Sequence, residues 1–198
     1  MKNLKRVVYD VDDTLWNLNK TICEIYGIDF EKCISYHIDE NTKLTEQEKI
    51  TFLNAYRNPY IFARCKFYEG CERIFDLEKN GLAEVWISSA NLNKSVKEIK
   101  EKRLANEIPN INMEHVKLTF ANEIYQGRVN GYILIDDSIL NIEKEDFPYN
   151  ILIDMPYNRD EETIKKNCRD KNIIRVYSLN EAITIAENII KDEKDENK

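Results

Sequence analysis

Two aspartates that directly follow an apolar run are the residues of this sequence best suited to chemistry. Residues 7–15 read Val-Val-Tyr-Asp-Val-Asp-Asp-Thr-Leu, so Asp10 and Asp12 end a β-prone stretch and the Thr14 hydroxyl comes two residues later. Carboxylates this close repel each other and need a cation, a shared proton or strong hydrogen bonds. Taken alone, the same residues also suit an acidic turn after a strand, because Asp and Thr are common in turns.

A second acidic pair repeats this arrangement later in the chain. Residues 132–138 read Tyr-Ile-Leu-Ile-Asp-Asp-Ser, which is an apolar strand ending abruptly in Asp136 and Asp137. Open parallel sheets place their chemistry at the carboxyl ends of the strands, where side chains from separate strands meet. Each pair could be a solvated turn, but two independent acid pairs at strand ends favour a shared site.

Strand-like and helix-like segments alternate along most of the chain. Such alternation predicts an α/β fold with a doubly wound parallel sheet. Asn80-Gly81 ends a helix before the second strand, and Ser178 with Glu181 forms a capping box that starts the last helix. The predicted strands are 6–10, 83–88, 115–120, 131–135, 150–153 and 173–176. Helical segments associated with the later strands are predicted near 71–80, 93–106, 138–145, 160–168 and 179–191.

The interval between the first two strands is longer than an ordinary crossover requires. It contains one helical pattern that ends at Gly27 and a second that opens with the capping box Thr45 and Glu48 and stops at Asn58-Pro59. We therefore predict a Rossmann-like core of residues 1–15 and 67–190 and a helical cap of residues 16–66. The alternative is that these helices simply extend the core.

The segment Asp10-Val-Asp-Asp-Thr-Leu resembles the first motif of the haloacid dehalogenase superfamily, whose members are mostly phosphatases. The resemblance implies that Asp10 is the nucleophile and Asp12 the general acid/base. A carboxylate can attack phosphorus to form an aspartyl-phosphate, and a second acid can protonate the leaving oxygen. The dehalogenase branch lacks the second aspartate, so Asp12 argues for phosphate esters. In this superfamily, an insertion after the first strand is the cap that sets the substrate.

The resemblance also implies a metal and its ligands. Attack of an anion on a phosphate dianion needs charge neutralisation, so we expect Mg²⁺, which prefers oxygen ligands. The implied ligands are the Asp10 carboxylate, the Asp12 backbone carbonyl and Asp137, with Asp136 acting through water.

Phosphate-binding residues are expected after the second strand. Val85-Trp-Ile-Ser88 is followed by Ser89 and then a helix start, so Ser88, Ser89 and the following amides could hold phosphate. The superfamily also uses a lysine to balance charge, but here Leu118-Thr119 is followed by Phe-Ala-Asn-Glu. We rank Lys117 first, because central parallel strands are otherwise nearly all apolar, then Lys94; Arg128 is a further alternative.

A narrower resemblance concerns the substrate. Residues 151–158, Ile-Leu-Ile-Asp-Met-Pro-Tyr-Asn, and residues 134–137 are similar to segments of the 5′(3′)-deoxyribonucleotidase family, which implies a nucleoside monophosphate substrate. Aromatic residues of the cap could stack on a base, and Trp16 lies where cap and core join. Trp16 is equally consistent with substrate contact and with packing at a hinge. Sugar phosphates, phosphoproteins and phospho-ligand binding with little turnover remain alternative functions.

Net charge, cysteine pattern and the length of apolar runs indicate which partners and which cellular location to expect. The net charge of −7 and pI of about 5.1 argue against a nucleic-acid polymer and favour a small phosphorylated metabolite. The five cysteines form no Cys-x-x-Cys pair and are expected to be reduced thiols in the cytoplasm. No apolar run reaches the roughly 20 residues that span a membrane, and no signal-peptide pattern is present. The charged residues 191–198 are expected to be disordered.

Overall fold

The computed structural model describes residues 4–120 and 129–196. Within them, six parallel strands form one sheet in the order β3-β2-β1-β4-β5-β6. The chain runs outward from β1 to β3, returns to the other side of β1 and continues to β6, so the topology is doubly wound. The strands are β1 (Arg6–Tyr9), β2 (Glu84–Asn91), β3 (Val116–Phe120), β4 (Ile133–Asp136), β5 (Tyr149–Ile153) and β6 (Ile173–Val176).

The centre of this sheet is almost wholly apolar, as strands covered on both faces require. Val7 of β1 lies opposite Val85 of β2 on one side and Ile133 of β4 on the other, and all three are fully buried. The strand order reverses between β1 and β4. A crevice for a ligand is therefore expected beyond the carboxyl ends of these two strands.

Helices flank the sheet, and several begin at side-chain caps that the sequence provides. Thr45 and Glu48 form the capping box of the second helix, as predicted, and Asn93 and Ser138 cap two later helices. The helices are α1 (Leu18–Tyr26), α2 (Glu46–Ala55), α3 (Pro59–Arg64), α4 (Asp76–Lys79), α5 (Lys94–Glu107), α6 (Ile139–Lys144), α7 (Glu161–Asn167) and α8 (Leu179–Glu196).

The segment between β1 and β2 holds α1, α2, α3 and the short α4, with two 3₁₀ turns between α1 and α2 and another before α4. Buried residues of this segment, including Ile22, Phe52 and Phe62, belong to the same apolar cluster as Val7 and Ile135 of the sheet. The helices thus pack directly on the core, over the carboxyl end of β1. Their division into a separate cap at residues 16–66 remains a prediction.

Two helical segments, near residues 71–80 and at the end of the chain, differ from the sequence-based prediction. The predicted helix near residues 71–80 is a 3₁₀ turn at Cys71–Arg73 followed by the short α4, and Gly81 ends it with φ of 63°. The last helix continues to Glu196, although residues 191–198 were expected to be disordered. Lys191 pairs with Glu187 one turn earlier, and Glu193 pairs with Lys5 near the start of the chain.

All five cysteines are buried with free thiols, and Cys23 Sγ lies 3.7 Å from Cys33 Sγ. In the part of the chain that the structure describes, no helix combines the length and apolar character that crossing a membrane requires.

Candidate active site

The first acidic pair lies where β1 ends. The buried Asp10 follows Tyr9, and its backbone N–H donates to the Ile135 carbonyl of β4 at 3.0 Å. The chain then turns through Asp13, whose φ is 55°, and Asp13 Oδ1 accepts the Asn19 N–H at 2.9 Å. This turn places Asp10 and Asp12 at the mouth of the crevice between β1 and β4.

Three buried carboxylates form a potential cation site. Asp10 comes from the end of β1, and Asp136 and Asp137 come from the end of the adjacent β4. One carboxylate oxygen from each of the three lies within 4.8 Å of the others. Parallel neighbouring strands end at the same edge of a sheet, which is why two pairs that are far apart in sequence meet here.

The second pair is held by a network of donors. Asp137 Oδ1 accepts from the Thr14 hydroxyl at 3.0 Å, and its Oδ2 accepts from the Tyr157 hydroxyl at 2.6 Å. Asp136 Oδ1 accepts from the Ser138 N–H at 2.7 Å, and its Oδ2 accepts from the Asn141 amide at 3.0 Å. These contacts fix the orientation of both carboxylates, as is usual for groups that ligate metals.

Charge is concentrated at this edge of the sheet. Burial and the neighbouring carboxylates of Asp136, Asp13 and Asp10 raise the pKa of Asp137 well above its ordinary value. Burial, followed by the charge of Asp12, raises the pKa of Asp13 to about 8. A divalent cation would reverse this effect and favour the charged carboxylates. The all-oxygen donor set therefore fits Mg²⁺.

A lysine that the sequence analysis did not select completes the site. Lys100 of α5 is fully buried, and its ammonium donates to Asp12 Oδ2 at 2.5 Å, to the Ala90 carbonyl at 3.0 Å and to Ser89 Oγ at 3.2 Å. The sequence did contain a signal for it. Lys100 lies four residues after Val96 and four before Leu104, so it occupies the buried stripe of α5 rather than its charged face.

The lysines that the sequence favoured lie elsewhere. Lys94 lies in the exposed first turn of α5 and pairs with Glu98, so it does not reach the acids. Lys117 lies half-buried on β3, opposite Ser88 of β2, and is not among the described residues that line the cavity. Arg128, the further alternative, lies outside the described residues.

The two serines after the second strand take different positions. β2 continues to Asn91, three residues beyond its predicted end, so Ser88 and Ser89 are both strand residues and are both buried. Strand neighbours point to opposite faces, and it is Ser89 that contacts Lys100 and lines the cavity. Ser88 is not one of the described residues that line this cavity.

Trp16 lies in the interior of the protein, beside the first acidic pair. Its side chain is fully buried, and its ring packs against Phe67 at 5.4 Å and Phe62 at 6.4 Å between centroids. Its indole N–H donates to Asp12 Oδ1 at 2.8 Å. The ring has no exposed surface in this structure, and the role of Trp16 in substrate binding stays a prediction.

A cavity of about 290 Å³ opens over the acids. Its floor includes Asp10, Asp12, Asp137, Ser89 and Lys100. Other lining residues come from the helical segment between β1 and β2 and are mainly apolar or aromatic, including Leu18, Asn19, Tyr36, Tyr56 and Phe62. The cavity therefore combines charged side chains with aromatic ones.

A doubly wound parallel sheet with acids at the ends of β1 and β4 and a helical insertion after β1 defines a class of fold. It is the Rossmann-like fold of haloacid dehalogenase-like hydrolases, and solved structures of those hydrolases are the structural neighbours of this chain.

Three solved structures illustrate the similarity. A haloacid dehalogenase family hydrolase from Deinococcus radiodurans R1, with bound phosphate and sodium, has a TM-score of 0.60, is 12% identical, and the match covers 94% of this chain and 97% of that one. A putative β-phosphoglucomutase from Bacteroides vulgatus has a TM-score of 0.55, is 12% identical and is matched over 96% and 89%. A haloacid dehalogenase-like hydrolase from Streptococcus pneumoniae has a TM-score of 0.53, is 12% identical and is matched over 93% and 99%.

Sequence comparison gives no corresponding family. No family model matches the chain, and no curated protein matches it significantly. The structural likeness, at these identities, establishes the fold.

Proposed function

We propose that this protein is a Mg²⁺-dependent phosphatase that hydrolyses small phosphomonoesters through an aspartyl-phosphate. The observation that carries the proposal is that Asp10, Asp12, Asp137 and the buried Lys100 line one cavity, with the Asp136 carboxylate grouped with those of Asp10 and Asp137. The fold of known hydrolases supports the same chemistry.

In this proposal, Asp10, Asp136 and Asp137 would hold the metal, together with the Asp12 backbone carbonyl. When bound, Mg²⁺ would neutralise part of the negative charge shared by the attacking carboxylate and the phosphate. The fit rests on the three buried carboxylates and their oxygen-only chemistry.

The reaction has two steps. An oxygen of Asp10 attacks phosphorus, the bond to the leaving oxygen breaks, and that oxygen takes a proton from Asp12 and departs as an alcohol. A water molecule then gives a proton to Asp12 and attacks phosphorus, which breaks the aspartyl-phosphate bond. Inorganic phosphate leaves, and both carboxyl groups return to their initial states.

In this proposal, Lys100 supplies the positive charge that balances the phosphate and the nucleophile. Its ammonium already contacts Ser89 and Asp12, and it lies on the floor of the cavity, where it can turn to a bound phosphate. The absence of a lysine after Leu118-Thr119 was the ground for a binding protein with little turnover. The buried Lys100 of α5 weakens this argument, because it offers a cation at the site in place of a lysine after Leu118-Thr119.

For the substrate, we propose nucleoside monophosphates. Tyr36, Tyr56 and Phe62 line the same cavity as the acids, where they could contact a base, and Tyr36 is about half exposed. In the segment that is similar to deoxyribonucleotidases, Tyr157 donates to Asp137 Oδ2 and the Asn158 amide donates to the Asp137 carbonyl at 2.8 Å. These contacts support the acidic pair and explain why that segment accompanies it.

The test is a panel of phosphomonoesters compared by kcat/KM in the presence of Mg²⁺: deoxy- and ribonucleoside monophosphates, hexose phosphates, phosphoserine and phosphotyrosine. Nucleotides should lead by about ten-fold or more, because stacking of a base contributes about 1–3 kcal/mol. Tyr36→Ala should reduce this lead, whereas Tyr60→Ala, a matched change at an exposed tyrosine of α3, should not.

The outcomes separate the two parts of the proposal. A preference for a hexose phosphate or phosphotyrosine would contradict the nucleotide substrate and leave the phosphatase chemistry intact. If the folded protein turned over none of these esters with Mg²⁺, the phosphatase proposal itself would be refuted.

A further inference from the structure

Both carboxylate oxygens of Asp12 accept a hydrogen bond, and the two donors differ in kind. Oδ1 accepts from the indole N–H of Trp16 at 2.8 Å, and Oδ2 accepts from the ammonium of Lys100 at 2.5 Å. The Lys100 side chain is long, with an ammonium that can rotate among several acceptors, whereas the indole offers a single N–H in the plane of a rigid ring.

The Trp16 ring cannot move away from Asp12 without disturbing the core. Besides Phe62 and Phe67, the guanidinium of Arg103 lies 5.2 Å from the centre of the Trp16 ring. Arg103 is itself anchored, because it donates to the carbonyls of Phe62 and Cys65, both at 2.7 Å. Trp16 is thus enclosed by aromatic rings and by an arginine that links α5 to the end of α3.

We propose that Trp16 is a positioning residue for Asp12: it fixes Oδ1 so that Oδ2 is the oxygen presented to the leaving group. This inference rests on the proposed phosphatase function. When a phosphate enters, Lys100 can turn towards it and release Oδ2, while the indole N–H keeps the carboxylate in place. A tryptophan that served only as hinge packing would fill the same space but would not set the direction of the carboxylate.

The hydrogen bond can be tested without any activity measurement. The sequence contains two tryptophans, Trp16 and Trp86, so a ¹H–¹⁵N spectrum of the full chain should show two indole signals, which Trp86→Phe assigns. Trp86 donates to Glu84 at 3.3 Å and serves as the internal control. Asp12→Ala should shift the Trp16 indole signal and leave the Trp86 signal in place. If both signals kept their positions, the proposed hydrogen bond would be excluded.

The catalytic consequence is tested by the dependence on the leaving group. Trp16→Phe keeps an aromatic ring against Phe62 and Phe67 but removes the N–H. Its kcat/KM for an alkyl phosphate, which needs proton donation, should fall about ten- to a hundred-fold more than that for p-nitrophenyl phosphate. Trp86→Phe should affect both substrates little, because Trp86 packs on His115, away from the acids.

A double-mutant comparison removes the remaining ambiguity. In an Asp12→Asn background, Trp16→Phe should add little further loss, because the group that it positions no longer donates a proton. Equal losses for both substrates, or an undiminished loss in the Asp12→Asn background, would assign Trp16 to packing alone. Absence of turnover in the wild-type protein would instead refute the proposed function, and with it the catalytic part of this inference, while the indole signal would still report the contact with Asp12.

Discussion

The ammonium of Lys100 lies 2.5 Å from Oδ2 of Asp12, although the two residues are 88 positions apart. The lysine is fully buried, whereas about a quarter of the Asp12 side chain is exposed to the cavity. A buried ammonium is stable only when it is paired and hydrogen-bonded, and Asp12, Ser89 and the Ala90 carbonyl provide its three acceptors. The contact thus joins the loop after β1, the end of β2 and the middle of α5 into one site.

Lys100→Met should lower kcat by about a hundred-fold or more, because it removes the cation that faces the phosphate. The methionine fits the same buried space, so the fold should be retained, which circular dichroism would verify. Lys94→Met is the matched control on the same helix and should be nearly silent, since Lys94 pairs with Glu98 in solvent. Lys117→Met should also be mild. A large loss in either control with a small loss at Lys100 would reassign the role.

Asp10→Asn should abolish turnover, because an amide cannot attack phosphorus but occupies the same volume. The intact mass of acid-quenched wild-type enzyme should reveal one added phosphoryl group during turnover, and Asp10→Asn should lack it. Asp12→Asn should also be severely impaired, with activated esters affected least. A tenth or more of the wild-type kcat in Asp10→Asn would rule out the covalent mechanism.

Mg²⁺ should raise the melting temperature of the native protein and should be required for turnover. At 100 times its Kd, a ligand stabilises the folded state by about 2.7 kcal/mol, which corresponds to a shift of about 5–10 °C for a protein of this size. Asp137→Ala should remove most of this shift and sharply raise the Mg²⁺ concentration needed for turnover. Glu114→Ala, at an exposed acid in the 3₁₀ turn before β3, is the control. Full turnover after exhaustive chelation would contradict a metal-dependent reaction.

The positions of several strand ends and helix starts are determined by the sequence itself. Apolar β-prone runs that stop at Asp10 and Asp136 mark where β1 and β4 end, because the carboxylates can be accommodated only where the strands leave the core. In a parallel sheet, those ends share one edge, so the meeting of the two acid pairs followed from strand order. Capping residues such as Thr45 and Asn93 likewise set helix starts through contacts with residues only a few positions away.

The tertiary structure alone decided which distant side chains complete the site. Lys94, Lys100 and Lys117 carry the same ammonium group. The spacing of Lys100 from Val96 and Leu104 favours a buried position, but only the packing of α5 against β2 brings its ammonium to Asp12 while Lys94 stays in solvent. In the sequence, Trp16 is consistent with either substrate contact or hinge packing, and only the positions of Phe62, Phe67 and Arg103 enclose its ring and direct its N–H to Asp12. The physical reason is the same in both cases: local patterns determine elements through neighbours in the chain, whereas the direction of one side chain depends on which elements pack around it.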